Sequence, residues 1–161
     1  MLKNFPDEKY ISDRNSSFIK RVFFLRQVGV ILCFIPIYSV LQEQSHQKIT
    51  IALLTLNALT WPTVAYLASI MSTDMLYTEK KNMILDSFFA GIWIAVMQAS
   101  PIPSLFIVSV QIADRYAAGG WKILKPALTW MMLSFLIVWL ANDFRYTIEF
   151  SIQTVLLSLP L

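Results

Sequence analysis

From Met1 to Arg21 charged and polar residues interrupt every apolar stretch, and from Val22 onward apolar residues dominate almost to Leu161. The first run, VFFLRQVGVILCFIPIYSVL, covers Val22 to Leu41, and the second, ITIALLTLNALTWPTVAYLASIM, covers Ile49 to Met71 without a charge. Runs of about 20 residues at 1.5 Å per residue cross the hydrocarbon core of a bilayer as helices. A cleavable signal peptide places its apolar core near the start, whereas here about 20 polar residues come first.

Asp86 is the sole charge between Lys81 and Asp114, a stretch long enough for one long helix or two short ones. Pro101 and Pro103 fall in its middle, inside QASPIPS. Each proline removes a backbone donor and crowds the preceding turn, so the pair predicts a break. The expected result is a hairpin of Met83 to Gln98 and Pro103 to Ala117, with a tight turn at Ser100 to Ser104. The small residues Ala117 to Gly120 then turn the chain into a fifth span, Ile123 to Ala141. A final run, 150–161, has 12 residues and reaches about 18 Å as a helix, short of the roughly 30 Å core. The prediction is an all-α membrane protein of six transmembrane helices, the sixth truncated by the end of the chain. Either this last helix lies in the membrane interface or the chain is part of a longer protein continuing into the cytoplasm, and the second is the expected case.

Basic residues choose between the readings of the hairpin, because Lys and Arg favour the cytoplasmic side of short loops. With six spans, Lys3, Lys9, Arg14, Lys20, Arg21 and Arg26 share a face with Lys80, Lys81, Arg115, Lys122 and Lys125. Only Lys48 and Arg145 fall opposite. Merging the hairpin would move Arg115, Lys122 and Lys125 outside. The expected domain layout is therefore a cytoplasmic amino-terminal segment, 1–21, and a membrane-embedded domain, 22–161.

Composition narrows the function classes. The 161 residues are 57% hydrophobic and 14% charged, with mean hydropathy +0.59. Soluble domains carry about 25% charged residues, so too few polar side chains exist here to cover a water-facing globule. Cys33 has no second cysteine to pair with, which excludes a disulfide scaffold. The net charge of +3 sits at span ends rather than in a nucleic-acid-binding patch.

Catalytic chemistry has little to work with. His46 is the single histidine and lies in a short loop, and a metal or haem site needs several ligands converging. No catalytic, cofactor-binding or metal residue is assigned, and Cys33 reads as packing. Gly119-Gly120 lacks the Walker spacing and reads as a turn. The polar residues within the spans carry more information. Asp86 falls four residues into the third predicted span, where a carboxylate serves either as a helix-start partner or as a signalling group. Arg26 is near the same face and can snorkel. Arg26, Asp86, Asp114 and Arg115 share one depth and are expected to form an ionic layer. Asn57, Gln98 and Gln111 are amides at depth, where cross-helix hydrogen bonds contribute about 0.6–2 kcal/mol. Trp61-Pro62 reads as a kink with an aromatic wall, either packing or one side of a ligand pocket. In AGIWIAVM, Ala90 to Met97, small residues beside Trp93 allow close helix approach, within one chain or between two.

Several stretches together resemble one family. They are FIKRVFFLRQVG (Phe18 to Gly29), FIP (Phe34 to Pro36), Trp61-Pro62, the two aspartates Asp74 and Asp86, DSFFAGIWIAVM (Asp86 to Met97), Pro103-Ser104 and AGG (Ala118 to Gly120). In order and spacing they are similar to the second type of membrane-associated sensor domain. That domain stands at the amino terminus of bacterial diguanylate cyclases and some class III adenylate cyclases. The resemblance runs from about Phe18 to Leu161. It implies an input role, a homodimer in the lipid bilayer and a cytoplasmic cyclase domain downstream that makes cyclic di-GMP. The GGDEF-type signature of such a catalytic domain does not occur here, so no activity is carried over to this chain. A small transporter or channel and a passive membrane anchor are the rival readings. The first needs a continuous polar path, and no span carries several charges on one face.

Overall fold

The computed structural model describes residues 8–42 and 47–143. Five helices occupy them: α1 (Glu8–Leu41), α2 (Gln47–Ile70), α3 (Met75–Val96), α4 (Pro101–Gly119) and α5 (Trp121–Ala141). The chain is all-helical there. His46 and the sixth span expected at 150–161 lie outside the described residues. Among the described residues three helices are long and apolar enough to cross a membrane, α1 over Asn15–Leu41, α2 over Lys48–Ile70, and α5. The helices α3 and α4 carry Glu79, Lys80, Lys81 and Asp86, and Asp114 and Arg115, respectively.

The helix α3 touches all four others and packs most extensively on α5. Its face of Ala90, Ile94 and Met97 meets Ile37, Val40 and Leu41 of α1, Leu54 of α2, Ile107 of α4 and Met131 of α5 in one buried cluster. The outward faces are as apolar as this core. Phe24 is 67% exposed, Ile49 71%, Leu59 70% and Leu105 67%. Water would penalise such a surface, and a hydrocarbon solvent would not. Backbone polar groups in these segments are satisfied within helices, as lipid requires.

Three helix limits differ from those expected. The helix α1 starts well before Val22, and α3 starts at Met75 rather than Met83. Hydropathy marks where a helix becomes apolar, not where it begins. The polar first turns of α3 are helical because Asp74 caps them, its side chain accepting from the Tyr77 amide at 3.0 Å. Asp86 is therefore in the body of α3 and has no part in its amino-terminal cap. The hairpin turn also sits earlier than Ser100 to Ser104. Met97 to Ser100 make it, and Pro101 and Pro103 lie within the first turn of α4, where a missing amide hydrogen leaves no helical bond unmade. Gln98 and Ala99 turn the chain with φ of 55° and 52°, and the Ala99 amide reaches Ile94 O at 3.0 Å. Gln98 thus belongs to the turn and not to a span. Gly120, at φ 60°, is the single residue between α4 and α5.

Candidate functional site

Two buried arginines, the buried Glu79 and the partly buried Asp86 meet where α1, α2, α3 and α4 converge. Arg26 of α1 donates from Nη2 to Glu79 Oε1 at 2.6 Å and from Nε to Asp86 Oδ2 at 3.0 Å. Arg115 of α4 donates from Nη2 to the same Asp86 oxygen at 3.2 Å. The other Asp86 oxygen accepts from Trp61 Nε1 of α2 at 2.5 Å. Asp86 therefore collects donors from three helices.

The lattice extends from both carboxylates. Glu79 Oε2 accepts from Ser69 Oγ at 2.5 Å, and Asn82 Nδ2 donates to Ser69 Oγ and to Ala65 O, each at 2.9 Å. Arg115 Nε donates to Ser87 Oγ at 3.2 Å, and Ser87 Oγ donates to Gln111 Oε1 at 3.0 Å. Arg115 Nη1 also pairs with Asp114, whose side chain is 46% exposed and so adds little. The side chains of Arg26, Glu79 and Arg115 are at most 5% exposed. Desolvating such charges is costly, and the pairing and hydrogen bonds offset that cost only while the set is complete. Within the lattice, Arg26 Nη1 is buried and makes no hydrogen bond among the described residues.

The sequence-derived candidates fall into three groups. Arg26, Asp86, Asp114, Arg115 and Trp61 join one lattice. Arg26 does not snorkel, because its head is held inward by Glu79 and Asp86. Asn57 and Trp93 form a separate link between α2 and α3, the indole donating to Asn57 Oδ1 at 3.3 Å. Pro62 is buried in α2 beside Trp61 and supplies no donor. Glu79, Ser69 and Asn82 were not predicted. For the two residues of α3 the signal was helical phase, since Glu79, Asn82 and Asp86 recur at three- and four-residue steps on one face, and Ser69 of α2 had none.

A cavity of about 450 Å³ adjoins the lattice between α1, α2, α3 and α4. Arg26, Asn57, Asp86, Gln111, Asp114 and Arg115 contribute its polar lining, and Gly29, Cys33, Trp61, Phe89, Trp93 and Val110 are among the residues of its apolar walls. Among the described residues no group of three or more His, Cys, Asp or Glu side chains could hold a metal ion. The arrangement can fix four helices in one packing and can admit an apolar guest beside a charged cluster.

The MASE2 domain family matches the chain over residues 21–109, which takes in most of α1, all of α2 and α3, and the first half of α4. A protein of Escherichia coli strain K12 named probable diguanylate cyclase DgcC is 29% identical over 120 residues. Its namesake in Escherichia coli O6:H1 strain CFT073 is equally similar. Each alignment takes in 74% of this chain and 32% of the relative, so the chain spans about a third of the length of the curated relatives it matches. No solved structure matches the chain.

Proposed function

We propose, since this chain belongs to the MASE2 domain family and is a membrane sensory domain, that it is the input module of a bacterial diguanylate cyclase. The cyclase would be a separate catalytic domain on the cytoplasmic side, making cyclic di-GMP. The module sits in the inner membrane with its amino terminus in the cytoplasm, crosses the bilayer six times and acts as a homodimer. Two catalytic half-sites must meet for two nucleotides to react, and a C2 pair is the commonest assembly that can bring them together.

The observation that carries this reading is the charged lattice of Arg26, Glu79, Asp86 and Arg115. A passive anchor needs only apolar faces. Buried ion pairs contribute little net stability over apolar packing, but they select one arrangement against its alternatives. A stimulus that favours a second arrangement would shift the population of the pair and so the meeting of the output domains.

The test is a fusion of this chain to a diguanylate cyclase output domain, assayed in membranes beside the same domain on an unrelated six-span scaffold. Regulatory coupling of about 1–3 kcal/mol corresponds to roughly 5–150-fold in output. Asp86→Asn in the fusion should therefore change cyclic di-GMP formation at least about fivefold at equal membrane abundance. Equal output from both scaffolds, unmoved by Asp86→Asn, would reduce the chain to an anchor.

Orientation is tested separately. Lys122 and Asn142, at opposite ends of α5, are both exposed. A cysteine at Asn142 should react with an impermeant maleimide on intact spheroplasts, and one at Lys122 only after lysis. The opposite pattern would invert the topology.

A further inference from the structure

We propose that the cavity beside the charged lattice binds a neutral amphiphile, an apolar tail bearing one oxygen acceptor such as the carbonyl of a long-chain ketone. The volume of about 450 Å³ lies within the range of about 300–1,000 Å³ usual for small-molecule sites. Apolar and aromatic side chains make up most of its wall, so a tail is well solvated there. Arg26 forms part of the wall at the charged end, and its Nη1 is a buried donor with no acceptor among the described residues. A buried donor left unmade costs about 1–3 kcal/mol, which the oxygen of a guest seated against Arg26 would recover while Nε and Nη2 keep their bonds to Asp86 and Glu79.

Charge decides the head group. Arg26 and Arg115 are already balanced by Glu79 and Asp86, and Asp114 stands at the rim. A carboxylate or phosphate head would add an uncompensated negative charge beside the buried Glu79 and the partly buried Asp86. A neutral carbonyl or hydroxyl oxygen accepts the hydrogen bond without that cost.

Access is from the bilayer. Val28 and Leu32 of α1 line the cavity and are also 40% and 47% exposed on the outer surface. Among the helix pairs that touch, α1 and α4 do so least. Gly29 shares the inward face of α1 with Arg26 and Cys33, and a Cβ built on it would meet nothing within 4 Å. The space in front of that glycine is part of the room a guest would occupy.

The proposal names a class of stimulus for the sensory role and rests on that role only for the consequence of binding. Its test therefore reads binding on the chain itself, with no cyclase attached. The chain in nanodiscs is photolabelled with a diazirine-bearing long-chain methyl ketone, the matching alkane and the matching carboxylate. The ketone should label α1 and α4 residues of the cavity saturably, and the alkane and carboxylate about tenfold less, the worth of one buried hydrogen bond. Gly29→Leu, which fills the cavity and removes no ion pair, should cut ketone labelling about tenfold with an undiminished melting temperature. Val110→Phe fills it from α4 and serves where the first variant does not fold. Discs of ester-linked and ether-linked lipid separate two sources of the same carbonyl. Weaker labelling in ester-linked discs identifies bilayer lipid as the resident guest, and equal labelling identifies a free amphiphile. Labelling unchanged by both filling variants, or as strong with the alkane or the carboxylate as with the ketone, would overturn the site.

Discussion

Replacing Asp86 by alanine should lower the melting temperature of the purified chain by on the order of 10 °C, the largest loss expected from any side chain of the lattice. Three donors converge on this carboxylate: Arg26 Nε at 3.0 Å, Arg115 Nη2 at 3.2 Å and Trp61 Nε1 at 2.5 Å. Glu79 receives two, from Arg26 and Ser69. Alanine at 86 strands two arginine donors and an indole N–H, and leaves two guanidinium groups against Glu79 and the half-exposed Asp114. Breaking one partner out of a buried pair costs about 3–5 kcal/mol, whereas loss of an exposed pair costs at most about 1 kcal/mol. Asp114→Ala is thus the control and should leave the melting temperature nearly unchanged.

A double-mutant cycle separates pairing from bulk effects. Arg26→Gln leaves Asp86 with Arg115 alone and Glu79 without its cation, Asp86→Asn leaves Arg26 with Glu79 alone, and the double variant loses the Arg26–Asp86 pair once rather than twice. The double variant should be at least about 1 kcal/mol more stable than the sum of the single losses predicts. Additive losses would show that the two residues act independently, despite lying 3.0 Å apart.

What could be read from the sequence follows from which signals are local. Arg26 and Asp86 stand out because each interrupts an apolar run, and an ionised side chain there calls for a partner. Glu79 sits in YTEKKN, where it looks like one more solvated residue. Its role depends on α3 beginning at Met75, which the Asp74 cap decides and hydropathy does not. The break at QASPIPS is visible from its prolines. The turn itself is made by Gln98 and Ala99 in the left-handed region, where no glycine marks the place. Cross-helix partners such as Ser69 and Glu79 depend on how helices rotate about their axes, and that is fixed by tertiary packing. The cavity is a property of several helices at once, and Trp61 and Gly29 alone could not announce it.

Two glycines should respond to the same substitution in opposite directions. At Gly91 of α3 an added Cβ would run into the Met131 carbonyl oxygen and Ser134 Oγ of α5. The Met131 oxygen is backbone and cannot rotate away. Ser134 is held by bonds to Phe88 O at 2.8 Å and Met131 O at 2.9 Å. Gly91→Ala must therefore push α5 off α3 along the most extensive helix contact in the fold. Overpacking of this kind costs about 1–3 kcal/mol, or roughly 2–12 °C in melting temperature. At Gly29 of α1 a Cβ meets nothing within 4 Å, and alanine is favoured over glycine in a helix by about 1 kcal/mol. Gly29→Ala should hold or raise the melting temperature. The pair also bears on assembly, because small residues in AGIWIAVM could serve contacts within one chain or between two. Gly91 facing α5 of its own chain places that close approach inside the protomer. Light scattering on Gly91→Ala below its melting temperature should then give the same oligomeric mass as the unmodified chain. A variant that melts normally but dissociates would put Gly91 on the surface between two copies.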